Sequence, residues 1–86
     1  MIDLVMFYGK ECVHCHKMFP ILEKLEKEKK LKVERLEIWH DSKNKAIYDK
    51  CNAGMKCTGV PFFYNEKTKA VICGSISYED LKKWAA

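Results

Sequence analysis

The stretch that decides the fold of this 86-residue chain runs from a hydrophobic segment into a pair of cysteines: Met6-Phe7-Tyr8-Gly9-Lys10-Glu11-Cys12-Val13-His14-Cys15-His16-Lys17-Met18. The apolar run that precedes Gly9 predicts a strand from Ile2 to Tyr8 that is buried on both faces. After the first cysteine, apolar residues recur at helical spacing, at Cys15, Met18, Phe19, Leu22 and Leu25. The chain is therefore predicted to pass from a buried strand, through a short loop, into an amphipathic helix that begins at the cysteines.

A Cys-x-x-Cys motif at the start of a helix has a defined chemistry. Cys12 would lie over the unpaired N–H groups and the positive dipole end of the helix, and both favour its thiolate. A thiolate is the species that attacks disulfides, and Cys15, one helical turn further on, can displace whatever Cys12 has captured. The motif therefore predicts a dithiol–disulfide redox centre.

The composition predicts one globular domain, residues 1–86. The chain is 48% hydrophobic and 33% charged, and its apolar runs are all shorter than the roughly 18 residues of a membrane span. The N-terminus shows no secretory signal pattern. We therefore expect a cytoplasmic monomer that does not bind a membrane.

The charge pattern argues against a nucleic-acid-binding protein. The net charge is only +4, and the densest group of lysines lies within the first predicted helix and just after it. There they alternate with acidic residues four positions away, as Glu23 and Lys27, Glu26 and Lys30, and Glu28 and Lys32. This spacing is typical of a solvated helix face with weak ion pairs.

The remaining predicted elements follow in an alternating order. They are a helix from about Val13 to Lys30, a strand from Leu31 to Trp39, a helix from Asp41 or Ser42 to Cys51, strands at Pro61–Tyr64 and Lys69–Cys73, and a helix that begins at Ser77, capped through Asp80, with Leu81 and Trp84 facing inward. Pro20 is expected to kink the first helix. Asn52 and Gly54, which tolerate left-handed backbone, are expected to end the second.

Four motifs along the chain match one known family. They are Phe7-Tyr8 ahead of Cys12-Val13-His14-Cys15, Pro20 in the following helix, Leu31-Lys32-Val33 and Leu36-Glu37-Ile38 as a second strand, and Gly59-Val60-Pro61 ahead of Phe62-Phe63-Tyr64. On these residues the chain resembles small proteins of the thioredoxin-like superfamily over nearly its whole length. The resemblance implies a compact α/β fold, β-α-β-α-β-β-α, with a central four-stranded mixed sheet flanked by helices, as in the glutaredoxins.

The resemblance also implies the roles of individual residues. Cys12 is the exposed nucleophile, Cys15 the buried resolving thiol, and Pro61 the family's cis-proline, which exposes the backbone of Val60 to an extended substrate segment. His14 is expected to stabilise the reduced site by a hydrogen bond or a charge, which makes the disulfide a stronger oxidant. The other expected substrate-binding residues are Gly59, Tyr8 and Gly74.

The implied activity is that of a protein disulfide oxidoreductase without a metal or cofactor. Its partners would be disulfide-containing proteins and an upstream thiol reductase or small-molecule thiol. Two positions depart from the family. Glu11 replaces the tryptophan before the first cysteine, and its charge opposes thiolate formation at Cys12. Met6 replaces the family's buried acid.

Two alternative functions remain open from the sequence. A glutathione-linked glutaredoxin is one, although the family's glutathione-holding elements are replaced by Thr58-Gly59-Val60-Pro61 and Cys73-Gly74-Ser75-Ile76. A zinc or iron–sulfur module is the other, with ligands drawn from Cys12, Cys15, His16, Cys51 and Cys57.

The three cysteines outside the motif allow two interpretations. Cys51, Cys57 and Cys73 are either packing residues and incidental thiols, or they include a second thiol pair or a metal ligand near the site. If the hairpin turns between Glu66 and Lys67, Cys73 is expected opposite Val60.

Overall fold

A four-stranded mixed sheet forms the centre of the computed structural model, which describes residues 3–52, 57 and 59–86. Along the chain the elements are β1 (Leu4–Tyr8), α1 (Val13–Lys29), β2 (Glu34–Glu37), α2 (Ser42–Cys51), β3 (Phe62–Asn65), β4 (Val71–Cys73) and α3 (Tyr78–Ala85). The strands lie in the order β2-β1-β3-β4; β1 is parallel to β2, and the other two pairs are antiparallel. The predicted order of elements and the α/β fold class are confirmed.

Strand β1 is buried on both faces because it lies inside the sheet and its side chains alternate between two hydrophobic clusters. Met6 belongs to the cluster on the face covered by α1 and α3, which also contains Leu22 and Leu81. Phe7 belongs to the cluster on the opposite face, where its ring meets that of Tyr48 from α2 edge-on, with centroids 5.4 Å apart. The predicted double-sided burial of this strand is confirmed.

Helix α1 has the apolar stripe that its sequence predicts, because Cys15, Met18, Leu22 and Leu25 are all buried. Pro20 lies inside the helix on its exposed side, and the helix continues past it to Lys29. Lys30 then takes the left-handed conformation, with φ 52°, and ends the helix. Among the helices in the described part of the chain, none is long and apolar enough to cross a membrane.

Strand β2 is shorter than predicted, since it spans Glu34–Glu37 instead of Leu31–Trp39. At its start, the N–H of Val33 donates to the Glu26 carboxylate at 2.9 Å and therefore does not join the sheet ladder. At its end, the Glu37 carboxylate accepts the N–H groups of Trp39 and His40 at 3.2 and 2.8 Å. The carboxylates of Glu26 and Glu37 thus bond backbone N–H groups at the two ends of β2, so the strand is shorter than its apolar pattern predicts.

Helix α2 begins as predicted, because the Asp41 carboxylate caps it by accepting the N–H groups of Lys43 and Asn44 at 3.0 and 3.1 Å. Its end differs from the prediction. Asn52 follows the helix with φ −98°, so it is not left-handed, and its side chain instead bonds the backbone of Cys57. Gly54, the other predicted terminator, lies outside the described residues.

The hairpin of β3 and β4 forms, but its register differs from the predicted one. Cys73 pairs with Phe62, not with Val60. The turn explains the shift, because Asn65 Oδ1 accepts the N–H groups of Lys67 and Thr68 at 3.0 and 3.3 Å. Left-handed backbone at Lys69, with φ 63°, then returns the chain to the sheet. The turn therefore lies one residue later than the predicted pivot, which moves each pairing by two positions.

Asn65 is a buried polar residue that joins this turn to the last helix. Ser77 caps α3 as predicted, and Leu81 and Trp84 are buried. Asn65 is 2% exposed, and its side-chain N–H donates to the carbonyl of Trp84 at 2.8 Å. A single amide side chain thus satisfies groups on the hairpin turn and at the end of α3.

Replacing Asn65 with Ala should destabilise the fold by about 1–3 kcal/mol, because the buried Trp84 carbonyl and the turn N–H groups lose their partner. Urea unfolding would measure the change. Lys67→Ala, in the exposed part of the same turn, is the matched control and should change stability by less than about 0.5 kcal/mol. Equal effects of the two substitutions would contradict the role given to Asn65.

Candidate functional site

The two cysteines of the motif lie where β1 passes into α1. Cys12 is the N-cap of α1, and its sulfur accepts the N–H of Cys15 at 3.2 Å. The two residues form a disulfide, with Cα atoms 5.2 Å apart. Cys12 is 7% exposed and Cys15 is fully buried. Cys12 is thus more enclosed than the expected exposed nucleophile, but it is the more accessible residue of the pair.

Local hydrogen bonds hold the loop between β1 and Cys12. The N–H of Cys12 donates to the carbonyl of Gly9 at 3.0 Å, and its own carbonyl accepts the N–H of His16 at 3.1 Å as the helix begins. The N–H of Lys10 donates to the Glu37 carboxylate at 2.8 Å. These bonds place the Cys12 sulfur at the N-terminus of α1, where the helix N–H groups stabilise a thiolate.

The segment Gly59–Pro61 lies beside the cysteine pair. The Val60–Pro61 peptide bond is cis, the isomer that the family resemblance implies. The carbonyl oxygen of Val60 lies 4.0 Å from the Cys12 sulfur. Pro61 is fully buried, and its carbonyl accepts the N–H of Gly74 at 2.8 Å. The structure thus brings Val60 next to Cys12 and places Gly74 against the backbone of Pro61.

Two further predicted site residues differ in how they are held. Tyr8 is half-buried at the end of β1, and its ring meets that of Phe19 edge-on, with centroids 5.2 Å apart. His14 is exposed in the first turn of α1, and its side chain makes no hydrogen bond with the described part of the chain. The tuning role of His14 therefore stays a prediction.

An exposed ion pair lies next to the motif. His40 Nε2 is 2.7 Å from a carboxylate oxygen of Glu11. The hydrogen bond from His40 lowers the pKa of Glu11, and the same bond raises the pKa of His40. Protonated His40 therefore offsets the negative charge that precedes Cys12. The sequence analysis missed this pair, because 29 positions separate its two members.

Glu37 connects the ends of the two parallel strands, and the sequence analysis missed its role as well. Its carboxylate accepts N–H groups from Lys10 on one loop and from Trp39 and His40 on the other. Loss of hydration raises the pKa of Glu37, but the N–H groups of His40, Lys10 and Trp39 outweigh this and hold the pKa below its usual value. The sequence did offer a signal for this role, since Glu37 was predicted near the end of a strand parallel to β1. The carboxyl ends of neighbouring parallel strands meet at one edge of a sheet.

The same group of side chains offers donor atoms that a metal ion could use. Donor atoms of Glu11, Glu37 and His40 all lie within 4.8 Å of one another. They are exposed or half-buried, and they already bond one another and the backbone N–H groups around them. Their arrangement is explained by these bonds alone.

Trp39 covers the loop that precedes the motif. Its ring lies on Gly9, where an added Cβ would come closer than 3.0 Å to the ring atoms, so a side chain at this position would displace the indole. Trp39 is 51% exposed, and Val13, next to Cys12, is 63% exposed. Glu11 stands where the resemblance implies a tryptophan before the first cysteine, but Trp39, two residues after β2, lies on the same loop.

Of the three other cysteines, two form a second disulfide. Cys57 and Cys73 are joined with Cα atoms 5.4 Å apart, so the interpretation as a second thiol pair is the correct one. Cys51 is a half-buried free thiol, and burial raises its pKa. The cysteines of the alternative metal site lie apart, since Cys12 and Cys15 belong to one hydrophobic cluster whereas Cys51 and Cys57 belong to the cluster on the opposite face of the sheet.

Comparisons with known proteins identify the fold. No family model matches the chain, and a search of curated proteins found no match. Among solved structures, 11 chains match. One is a mutant of the thioredoxin-like protein BC3987, with a TM-score of 0.64 and 14% identity, covering 98% of this chain and 95% of that chain. At this identity the similarity shows the fold alone: the chain has a thioredoxin-like fold.

Proposed function

We propose that this protein is a thiol–disulfide oxidoreductase that reduces or exchanges protein disulfides through Cys12 and Cys15. One observation carries the proposal. The Cys12 sulfur is held at the N-terminus of α1, 3.2 Å from the N–H of Cys15, and is joined to a fully buried second cysteine one helical turn further on. This geometry supplies a stabilised nucleophile and a resolving thiol in reach of it.

In the reducing direction the reaction has two steps. The Cys12 thiolate attacks one sulfur of a substrate disulfide, which forms a mixed disulfide and releases the other substrate sulfur as a thiolate. Cys15, as a thiolate, then attacks the Cys12 sulfur, which forms the Cys12–Cys15 disulfide and releases the second substrate thiol. Two electrons pass from the cysteine pair to the substrate, and the released thiolates take up two protons.

At the position where the family places a carboxylate that could accept the Cys15 proton, this chain has Met6. Met6, which replaces that acid, is fully buried and carries no titratable group. The thiolate that the substrate releases in the first step is itself a base. In the proposed mechanism, that thiolate or water accepts the Cys15 proton before the second step.

The backbone beside Cys12 supports binding of an extended substrate segment. The Val60 carbonyl oxygen is 4.0 Å from the Cys12 sulfur, and among residues 3–52, 57 and 59–86 the Val60 N–H has no hydrogen-bond partner. A strand-like segment passing Cys12 could pair with both groups. Gly59, Gly74 and Tyr8 would line this approach.

The oxidised pair must be returned to the dithiol after each turnover. We assign this step to an upstream thiol reductase or a small-molecule thiol in the cytoplasm. Glutathione is one candidate donor, so assays with and without it distinguish a glutathione-linked enzyme from one that uses a protein reductase.

Replacing Cys12 with Ser should abolish reduction of a model protein disulfide, because no nucleophile remains at the helix N-terminus. Cys15→Ser should instead accumulate mixed disulfides on Cys12, because the resolving thiol is absent. Insulin reduction and mass spectrometry of trapped adducts would measure the two effects. Cys51→Ser is the matched control and should keep full activity. Adducts on Cys15 in the Cys12→Ser protein would reverse the assigned roles.

Replacing His14 with Pro should lower the reduction potential of the Cys12–Cys15 pair by several tens of millivolts, because the reduced form loses a hydrogen bond or a charge. For a two-electron couple, 30 mV correspond to about 1.4 kcal/mol, the size of one charge-assisted bond. Equilibration with glutathione redox buffers would measure the potential. His14→Gln keeps a donor without the charge, so it separates the two causes. An unchanged potential in both variants would show that His14 is merely solvated.

Replacing Glu11 with Gln should increase the thiolate fraction of reduced Cys12, because it removes a neighbouring negative charge. His40→Gln should decrease it, because the Glu11 charge then stays without its partner. In the unmodified protein, His40 offsets the Glu11 charge only while it is protonated, that is, below its raised pKa. As the pH rises through this pKa, the Glu11 charge loses its partner and disfavours the Cys12 thiolate more strongly. Ultraviolet absorbance of the thiolate against pH would measure these changes.

The variant Glu11→Gln/His40→Gln is the control for this pair. It should match Glu11→Gln alone, because His40 acts only through the Glu11 charge. Both side chains are exposed, so each change in the apparent pKa of Cys12 should stay below about one unit. An additive effect of His40→Gln in the Glu11→Gln background would mean that His40 acts on Cys12 by another route.

A further inference from the structure

We infer that the Cys57–Cys73 disulfide is a second thiol–disulfide exchange site, at which low-molecular-weight thiols attack Cys73. This site uses other cysteines than the Cys12–Cys15 pair. The second disulfide joins Cys57 to Cys73 at the end of β4, the strand at the edge of the sheet.

The two halves of this disulfide differ sharply in accessibility. Cys73 is exposed at the end of β4, whereas Cys57 is only 2% exposed within a hydrophobic cluster. A thiolate from solution can therefore reach Cys73, and Cys57 is the leaving group. Such unequal burial gives the exchange a direction, because the sulfur that is attacked is the one that a reagent can approach.

The leaving sulfur has a hydrogen-bond acceptor ready for its reduced form. The carbonyl oxygen of Gly59 lies 3.3 Å from the Cys57 sulfur. When the disulfide opens, the new Cys57 thiol can donate to this oxygen. A buried polar group that finds a partner costs much less free energy than one that is left without one.

The backbone around Cys57 is held by bonds that do not depend on the disulfide. Asn52 Oδ1 accepts the N–H of Cys57 at 2.9 Å, and Asn52 Nδ2 donates to its carbonyl. The Tyr48 hydroxyl donates to the carbonyl of Gly59 at 2.8 Å. None of these bonds involves the Cys57 sulfur, so reduction of the disulfide does not remove them.

The backbone around Cys73 is held in the same way. Cys73 is paired with Phe62 in the hairpin, and the next N–H, that of Gly74, donates to the carbonyl of Pro61 at 2.8 Å. The reduced and oxidised forms of the Cys57–Cys73 pair can thus have the same backbone conformation, in which the two sulfurs are close enough to form the disulfide again. A disulfide of this kind can cycle without unfolding the protein.

The exchange proceeds in two steps. A thiolate RS⁻ bonds to the Cys73 sulfur, the Cys57–Cys73 bond breaks, and its electron pair leaves on Cys57, which takes up a proton. A second thiolate attacks the sulfur that the first thiol contributed to the mixed disulfide. This forms RSSR and releases Cys73 as a thiolate, which is protonated in turn. Two thiols are oxidised, and the protein disulfide gains two electrons and two protons.

The test uses the unmodified protein in buffers of reduced and oxidised dithiothreitol. Acid quenching, alkylation and peptide mapping by mass spectrometry would report each cysteine pair separately, and circular dichroism would report the fold. We expect Cys57 and Cys73 to become alkylated as reduction proceeds while the circular dichroism stays native, and to be protected again after reoxidation. A pair that opens only in denaturant, or whose opening unfolds the chain, would show a purely structural disulfide and overturn the inference.

The direction of attack has its own test. With glutathione as the thiol, adducts quenched by acid in the unmodified protein should map to Cys73 in excess over Cys57, on the order of tenfold. Adducts mainly on Cys57 would overturn the assigned direction. The same spectra follow Cys12 and Cys15, so loss of exchange at the second site is distinguishable from failure of the proposed activity at the first.

Discussion

The structure depends on the position of β1 inside the sheet. This strand has a neighbour on each edge and a hydrophobic cluster on each face, so the chain leaves it at Tyr8 from a fixed place. Only a short turn, closed by the N–H of Cys12 on the carbonyl of Gly9, separates that point from α1. The position of the Cys12 sulfur thus depends on core packing and not on the loop alone.

Much of this arrangement could be predicted from the sequence because it is encoded locally. The apolar run of β1, the stripe of α1 and the caps at Asp41 and Ser77 are patterns within a few neighbouring residues, and each is present in the structure. The Cys-x-x-Cys spacing likewise placed Cys12 at the start of a helix. Local signals of this kind retain their meaning because backbone geometry alone converts them into structure.

The features that escaped prediction are contacts between distant positions. Glu37 binds the loop after β1 as well as the one after β2, His40 pairs with Glu11, and Asn65 binds the end of α3. Each depends on a polar side chain finding backbone or charged partners after the sheet has formed. The pairing of Cys57 with Cys73 is of the same type, since the two cysteines are 16 positions apart and the hairpin register decides where Cys73 lies.

The two tryptophans of the chain occupy opposite environments, and this gives the protein an intrinsic optical readout. Trp84 is 4% exposed and its indole N–H donates to the carbonyl of Ala70, so its emission reports only whether the core is intact. Trp39 is 51% exposed and rests on Gly9, in the loop that leads to the redox motif. Fluorescence quenchers dissolved in water would quench the emission of Trp39 and leave the emission of Trp84 unchanged. A substrate that covers the loop would shield Trp39, so its docking can be followed without an attached label.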